Sequence, residues 1–137
     1  MSTANQALAR RWFEEVWNKK RRDAIEEMLH PDSVFHEGSV DTGSAEFHGY
    51  FDRMHSTFSD IRIVVHDALE DGDKVCLRWS CCMKHTADGK PVETTGISIM
   101  RVADGKLIEG WQNWDMVAVL EAIGVREKGT NALAVSA

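Results

Sequence analysis

One carboxylate in the sequence stands where catalysis and helix capping compete for the same residue. Asp115 follows Trp114 at the end of the alternating run LIEGWQNWD, and the helical pattern MVAVLEAI begins directly after it. Aspartate is a favoured helix N-cap. A carboxylate among aromatic side chains at the edge of a pocket can also act as a general acid–base group. The two roles are compatible, and both stay open for Asp115.

Two further residues share a strand face with Asp115, because alternate side chains of a strand point the same way. These are Trp111 and Asn113. The indole adds apolar surface, whereas the amide can orient a carbonyl group or a water molecule but cannot exchange protons near neutral pH. The face therefore predicts the rim of an aromatic-lined pocket, with Trp111 and Asn113 as substrate-binding residues. Core packing is the alternative for Trp111.

The position of Arg101 depends on the turn ADGK that joins its strand to the strand of Asp115. A three-residue turn with a glycine bulge would place Arg101 on the Asp115 face, where its guanidinium could bind an oxyanion. A two-residue turn would turn the opposite residues of the strand inward. Those residues are Thr94, Gly96, Ser98 and Met100. We favour the first register because it buries Ile97 and Ile99. A solvated arginine is the alternative.

Two of the six histidines are placed to reach a pocket. His36 alternates with Val34 on the first predicted strand, and His55 lies one helical turn beyond Phe51. Each could contact a substrate or exchange a proton with it, since histidine titrates near neutral pH. A partly buried or surface position is the alternative. No HExxH motif or other spacing typical of metal ligands occurs, so the sequence predicts no metal site.

Cysteine usage and the start of the chain bear on its compartment. Three cysteines cannot all pair, and no CxxC spacing occurs, which fits reduced thiols in a cytoplasmic protein. Cys81 and Cys82 alternate along a predicted strand, so one of them is expected to point inward as a small core residue. The first residues lack the apolar core of a signal peptide, and no apolar stretch is long enough to span a membrane.

Length and charge limit the domain count and the classes of partner. A chain of 137 residues predicts one domain with one real core. We place that domain at residues 1–125, with a tail at 126–137 that is frayed or exchanged between copies. The net charge of −6 argues against nucleic acid, anionic membranes and polyanionic substrates as main partners.

Hydrophobic periodicity predicts the element order α-α-β-α-β-β-β-β-α. Helices precede an antiparallel meander, which is typical of an α+β fold. The later strands run to about ten residues or more, beyond the usual five or six. Long strands in a small domain usually belong to a strongly bent sheet, which wraps the helices and leaves a concave pocket.

Several segments resemble the SnoaL-like polyketide cyclases, within the larger group similar to nuclear transport factor 2 and ketosteroid isomerase. These segments are RRWFEEVWN, HPDSVFHEG, FSDIRIVVHDALEDGDKVCLRW, GISIMRVADGKLIEGWQNWD and LEAIG. The resemblance covers roughly residues 5–125. It implies a cone-shaped curved sheet closed by the helices, with a pocket in its mouth, and a homodimer packed through the outer face of the sheet.

The resemblance also implies an activity. An aspartate at the place of Asp115 serves these cyclases as the acid–base group that moves protons at carbon, and some of them carry a histidine where this chain has Asn113. We therefore expect a cofactor-independent cyclase, isomerase or lyase that acts next to a carbonyl group of a small hydrophobic molecule. Two alternatives stay open. One is epoxide or ester hydrolysis, with Asp115 and Asn113 positioning a water molecule, and the other is a non-catalytic binding or dimerisation module.

Overall fold

Helices and one sheet make up the computed structural model, which describes residues 3–129. α1 (Ala4–Arg11) continues as a π-helical segment (Trp12–Asn18), and α2 (Ala24–Met28) follows. β1 (Leu29–Glu37), β2 (Val40–Gly43) and α3 (Ser44–Thr57) come next. The chain then runs through β3 (Phe58–Asp71), β4 (Lys74–His85), β5 (Pro91–Ala103) and β6 (Lys106–Trp114) to α4 (Met116–Ala122). The predicted α+β class is confirmed. Of the predicted tail, residues 130–137 lie outside the described part.

The six strands form one curved, unclosed sheet in the order β2-β1-β6-β5-β4-β3. β1 pairs with β6 in parallel, and the other described pairs are antiparallel. Even-numbered residues of β5 from Val92 to Met100 are buried, while the odd-numbered residues between them are exposed. The even-numbered side of β5 belongs to the inner face of the sheet, which the helices cover. The odd-numbered side belongs to the outer face.

β2 is a strand that periodicity did not predict. It covers only Val40–Gly43 and pairs with the end of β1 after a turn in which Gly38 has a φ of +59°. Four residues are too few for a clear alternating pattern, so the sequence shows only a polar connection there.

The first predicted helix changes its hydrogen-bond pattern halfway along. From Trp12 it is π-helical, and its four apolar side chains there are all buried. Asn18 closes the segment: its amide donates to the Ile63 carbonyl at 2.9 Å and accepts from the Ile63 N–H at 2.6 Å. This pair of bonds fixes the helix end to β3 beside a register shift. Within residues 3–129, no helix is long and apolar enough to cross a membrane.

The β5–β6 turn has the register that we did not favour. Ala103 pairs with Lys106, and the two residues between them, Asp104 and Gly105, have φ values of +53° and +71°. Positive φ at both central positions is the type I′ geometry that Asp-Gly adopts readily. The expectation of a three-residue turn is therefore wrong.

A bulge follows the turn and sets the faces of β6. Val102 pairs with Leu107, whereas Arg101 pairs with Glu109, so Ile108 is the extra residue. Leu107 is buried, but beyond the bulge Glu109 and the alternate residues after it lie on the outer face. The residues of β6 that reach the inner face are Gly110, Gln112 and Trp114.

Candidate active site

An apolar cavity of about 70 Å³ lies between the helices and the inner face of the sheet. Six of the rings that line it are Trp12, Trp17, Phe35, Phe47, Trp79 and Trp114. The volume is small beside the roughly 300–1,000 Å³ of pockets that enclose a drug-sized ligand. It is also smaller than the roughly 150 Å³ of an apolar cavity that binds benzene, so a ring-sized ligand requires side chains of the wall to move.

Two glycines of the sheet allow aromatic rings to lie against its floor. A Cβ added to Gly96 would lie 2.3 Å from the Trp79 ring, and one added to Gly110 would lie 2.5 Å from the Phe35 ring. Phe35 in turn stacks on Trp12, with ring centroids 5.8 Å apart. The shape of the cavity therefore depends on the absence of a side chain at these two strand positions.

Glu37 is the carboxylate among the residues that line the cavity. It ends β1, and the alternation that turns Phe35 inward does the same for Glu37. The Trp114 Nε1–H donates to Glu37 Oε1 at 2.6 Å, and the Tyr50 hydroxyl donates to Oε2 at 3.3 Å. Two hydrogen bonds from aromatic side chains thus fix an acidic group at the edge of an apolar space.

Tyr50 remains a hydrogen-bond donor at neutral pH. Burial raises the pKa of its phenol well above the ordinary value, and the nearby charge of Glu37 raises it further. The phenol therefore keeps its proton, which it shares with the carboxylate.

A second polar group lies beside Glu37 on the cavity floor. Gln112 on β6 is the register partner of Glu37 on β1 and of Ser98 on β5. Ser98 is almost completely buried; its hydroxyl accepts from Trp79 Nε1 at 3.0 Å and donates to Gln112 Oε1 at 3.4 Å. Glu37, Gln112 and Ser98 therefore form a polar row across neighbouring strands, and the first two of them line the cavity.

Asp115 is exposed and caps α4. Its carboxylate accepts the Ala118 N–H at 3.0 Å, and its main-chain carbonyl accepts the Thr94 hydroxyl at 2.8 Å. It is not among the residues that line the cavity. Together with Asn113 it borders a shallow depression on the outer face. The hydrogen bond of the Asp115 carboxylate is therefore that of a helix N-cap.

Trp111, Arg101 and His36 meet around Glu109 on the outer face. The Arg101 guanidinium donates to Glu109 from Nε at 3.2 Å and from a terminal nitrogen at 3.1 Å. This pairing on the outer face matches the alternative of a solvated arginine and not an oxyanion site. The exposed Trp111 stacks on the His36 ring with centroids 5.6 Å apart. The expected placement of Trp111, Asn113 and Arg101 at the pocket is wrong, because the inner face belongs to the even-numbered positions.

His36 is part of the cavity wall, but both of its ring nitrogens bind carboxylates. They lie 2.8 Å from Asp41 and 2.8 Å from Glu109. The hydrogen bond to Asp41 and then that to Glu109 raise the pKa of His36. The pKa of Glu109 is lowered, first by its bond to His36 and also by Arg101. His36 therefore joins strands β2, β1 and β6 and has no ring nitrogen left for a substrate.

His55 and Cys81 are held by packing. The His55 ring lies 4.3 Å from the Phe51 ring and 5.4 Å from that of Trp17, measured between centroids. Burial lowers the pKa of His55, which favours the neutral ring, and His55 does not line the apolar cavity. Burial also raises the pKa of the Cys81 thiol to about 12, which suits a core residue. No group of three potential metal ligands occurs among residues 3–129.

Three polar residues of the cavity, Glu37, Tyr50 and Gln112, were not among the candidates from the sequence, whereas His36 was. Glu37 shares the alternation of Phe35, and Tyr50 lies on the apolar stripe of α3 beside Phe47. Both signals are visible in the sequence once the first strand is known to turn its odd-numbered positions inward. For Gln112 the signal is absent, because the bulge at Ile108 exchanges the two faces of β6.

Comparison with known proteins decides the family. The family model described as SnoaL-like domain matches residues 9–110, well over half of the chain. The chain belongs to the SnoaL-like family. The predicted family is thereby confirmed. A search of curated protein sequences finds no match.

Solved structures share the fold of this SnoaL-like chain. IdmH, a putative polyketide cyclase from Streptomyces antibioticus, is 25% identical, with a TM-score of 0.72 over 82% of this chain and 93% of its own. AclR, a putative hydroxylase from Streptomyces galilaeus, is 21% identical, with a TM-score of 0.81 over 94% and 86%. A putative SnoaL-like polyketide cyclase from Jannaschia sp. CCS1 is 21% identical, with a TM-score of 0.81 over 90% and 93%. Because these proteins carry different activities in their descriptions, the fold alone does not decide the reaction.

Proposed function

We propose that this SnoaL-like protein is a cofactor-independent enzyme of the cyclase or isomerase type. Its substrate is a small hydrophobic molecule, and the reaction begins with proton transfer next to a carbonyl group. The observation that carries the proposal is Glu37, a carboxylate held by two aromatic donors at an apolar cavity. The description of IdmH as a putative polyketide cyclase supports the same reaction class.

Glu37 supplies the base. Its carboxylate takes a proton from the carbon next to the carbonyl, and the electron pair of the broken C–H bond moves onto the carbonyl oxygen as an enolate. Where the enolate is conjugated with a double bond, return of the proton to the far carbon of that system restores the carbonyl and gives an isomer. Attack of the enolate carbon on a second carbonyl instead closes a ring: the π electrons of that carbonyl move onto its oxygen, which takes the proton from Glu37. Tyr50 and Trp114 hold the carboxylate in one orientation, as general acid–base catalysis requires.

Asp115 is the acid–base residue that the family resemblance implies, and that role stays a prediction. Its exposed carboxylate already accepts the Ala118 N–H at 3.0 Å, and it does not line the cavity. These contacts favour Glu37 for proton transfer and Asp115 for capping.

Deuterium exchange tests the assignment without the natural substrate. Acetophenone and 1-tetralone carry one and two rings, and NMR in D₂O measures the loss of hydrogen next to their carbonyl groups. We expect the wild type to catalyse the exchange and Glu37→Gln to slow it by about 100-fold or more. Asp115→Asn is the matched control and should retain the wild-type rate, since asparagine also caps helices well.

Three outcomes would contradict the proposal. Loss of exchange in Asp115→Asn with retention in Glu37→Gln would return the acid–base role to Asp115. Binding of both ketones by the wild type without exchange would indicate a non-catalytic binding module. Failure of the wild type to bind either ketone would contradict a small hydrophobic carbonyl compound as the substrate.

We also propose that a second copy of the chain covers the outer face, as the family resemblance implies. The exposed fractions of Ile97, Ile99 and Trp111 are 52%, 38% and 36%, and the three lie on neighbouring positions of β5 and β6. Contiguous exposed apolar surface of this kind marks interaction sites.

A further inference from the structure

The three side chains that form a row of hydrogen bonds across the cavity floor have fixed donor and acceptor roles. Indole nitrogen is only a donor, so the Ser98 hydroxyl must accept the bond from Trp79 Nε1. The hydroxyl has one hydrogen of its own, and its other contact is Gln112 Oε1. Ser98 therefore donates that hydrogen to Gln112. We call this chain of hydrogen bonds from Trp79 through Ser98 to Gln112 the relay, and it holds the Oε1 end of the Gln112 amide.

The other end of the amide is the Nε2 group, which carries two hydrogens. Among residues 3–129 no side chain accepts a hydrogen bond from it, and Gln112 lines the cavity. Because Oε1 is engaged by Ser98 and Gln112 lines the cavity, Nε2 is the end of the amide that is available to a ligand. A donor without a protein acceptor in such a place is suited to an acceptor on a ligand.

Gln112 and Glu37 lie side by side. They are register partners on parallel neighbouring strands, and both line the cavity. Neighbouring strands lie about 4.8 Å apart, so one small group can reach both side chains. The amide is neutral and does not form an ion pair with the carboxylate, which leaves Glu37 free to accept a proton.

We propose that Gln112 binds the carbonyl oxygen of the substrate, and that Trp79 and Ser98 act as positioning residues that hold its amide for this purpose. The inference rests on the proposed function. When Glu37 removes the proton, negative charge develops on the carbonyl oxygen, and the hydrogen bond from Nε2 strengthens as it does so. The site therefore selects aromatic ketones whose carbonyl oxygen and adjacent C–H bond lie on the same edge of the molecule.

The test uses 1-tetralone with a ¹³C-labelled carbonyl. Hydrogen bonding moves the carbonyl resonance downfield, so the chemical shift of the bound ketone reports the contact directly. We expect Gln112→Met to abolish this downfield shift and to lower kcat for exchange by about 100-fold, with a much smaller change in KM. Ser98→Ala should reduce both effects only partly, since it frees the amide to rotate. Glu93→Gln, exposed on the outer face of β5, is the control and should leave the carbonyl shift unchanged.

The outcomes separate this inference from the proposed function. An unchanged carbonyl shift in Gln112→Met would overturn the role of Gln112, even if Glu37-dependent exchange persists. A downfield shift that Gln112→Met removes, in a protein that exchanges no hydrogen, would support the carbonyl contact and contradict the enzyme. If Gln112→Met does not fold, Ser98→Ala decides: full wild-type shift and kcat in that variant would overturn the relay.

Discussion

At the scale of single residues, the two carboxylates at the ends of β1 and β6 have separate surroundings. Glu37 receives two aromatic donors at an apolar cavity, whereas Asp115 accepts a backbone N–H at the surface. The family resemblance pointed to Asp115 as the acid–base residue, because a resemblance compares positions along the chain. Burial and hydrogen-bond partners point to Glu37. His36, next to Glu37, also lines the cavity, but its ring nitrogens belong to the charge network of Asp41 and Glu109.

The His36 network predicts a pH-dependent stability. The pKa of His36 is raised in the fold, so the stability it contributes is present below the ordinary value of 6.5 and is lost as the pH rises through the folded value. The pKa of Glu109 is lowered, so its contribution is present above the ordinary value of 4.5 and is lost at lower pH. The pair is therefore most stabilising between these two values.

His36→Gln tests this window, because glutamine stays neutral throughout. The measurement is urea unfolding of both proteins between pH 4 and pH 9. The variant should lose the most unfolding free energy between pH 4.5 and pH 6.5, the ordinary pKa values of Glu109 and His36, and the loss should diminish as the pH rises further. His66→Gln is the control, since the His66 ring binds the Ser80 hydroxyl and no carboxylate. A loss from His36→Gln that is constant with pH would contradict the network.

At the scale of elements, β5 and β6 decide which residues reach the cavity. The alternating pattern of β5 could be read from the sequence, but alternation alone does not say which face is inside. The two-residue turn at Asp104-Gly105 and the bulge at Ile108 make that choice. Each shifts the pairing of the two strands by one residue, so a single misassigned turn moves every candidate side chain of the strand to the other face of the sheet.

The sequence predicted the α+β class and the family, because helical and strand periods are long and distinct. It also predicted that one thiol of the Cys81-Cys82 pair would be buried. It did not predict β2, because the strand is too short to show alternation. It did not predict the π-helical segment, because apolar spacing does not distinguish a π-helix from an α-helix. It missed Gln112 because a bulge has no periodic signal. The polar row of the cavity arises from pairing between strands that are distant in the chain.

Gly96→Ala tests the dependence of the cavity on strand glycines. The new Cβ would lie 2.3 Å from the Trp79 ring, so the ring must shift, and its hydrogen bond to Ser98 is disturbed. We expect unfolding free energy to fall by about 1–3 kcal/mol, the usual cost of overpacking. Gly49→Ala is the matched control in α3, where the nearest atom would be the Arg53 guanidinium at 3.4 Å. It should gain about 0.5–1 kcal/mol, because alanine favours helix. Equal effects in urea unfolding would contradict the argument.

At the scale of the whole molecule, one sheet serves two surfaces. Alternate residues of the same strands form the cavity floor and the outer face, so Ser98 lies between Ile97 and Ile99 in sequence but on the opposite side. The proposed reaction belongs to the inner face, and the proposed contact with a second copy belongs to the outer. His36 lines the cavity and also stacks on Trp111, but Ile97 lies on the outer face and does not line the cavity. A change at Ile97 should therefore leave the proposed reaction intact.

Ile97→Asp tests this separation. Ile97 is 52% exposed on the outer face, and a charge there would have to be desolvated between two copies. We expect sedimentation velocity to show a wild-type dimer and a variant monomer at the same concentration, while exchange of 1-tetralone stays within about twofold of the wild type since Ser98 and Gln112 are untouched. Val125→Asp, exposed after α4, is the control and should remain dimeric. A monomeric wild type would contradict the proposed dimer, and a dimer that persists in Ile97→Asp would place the contact elsewhere. An Ile97→Asp monomer that does not exchange hydrogen would show that the cavity needs the second copy.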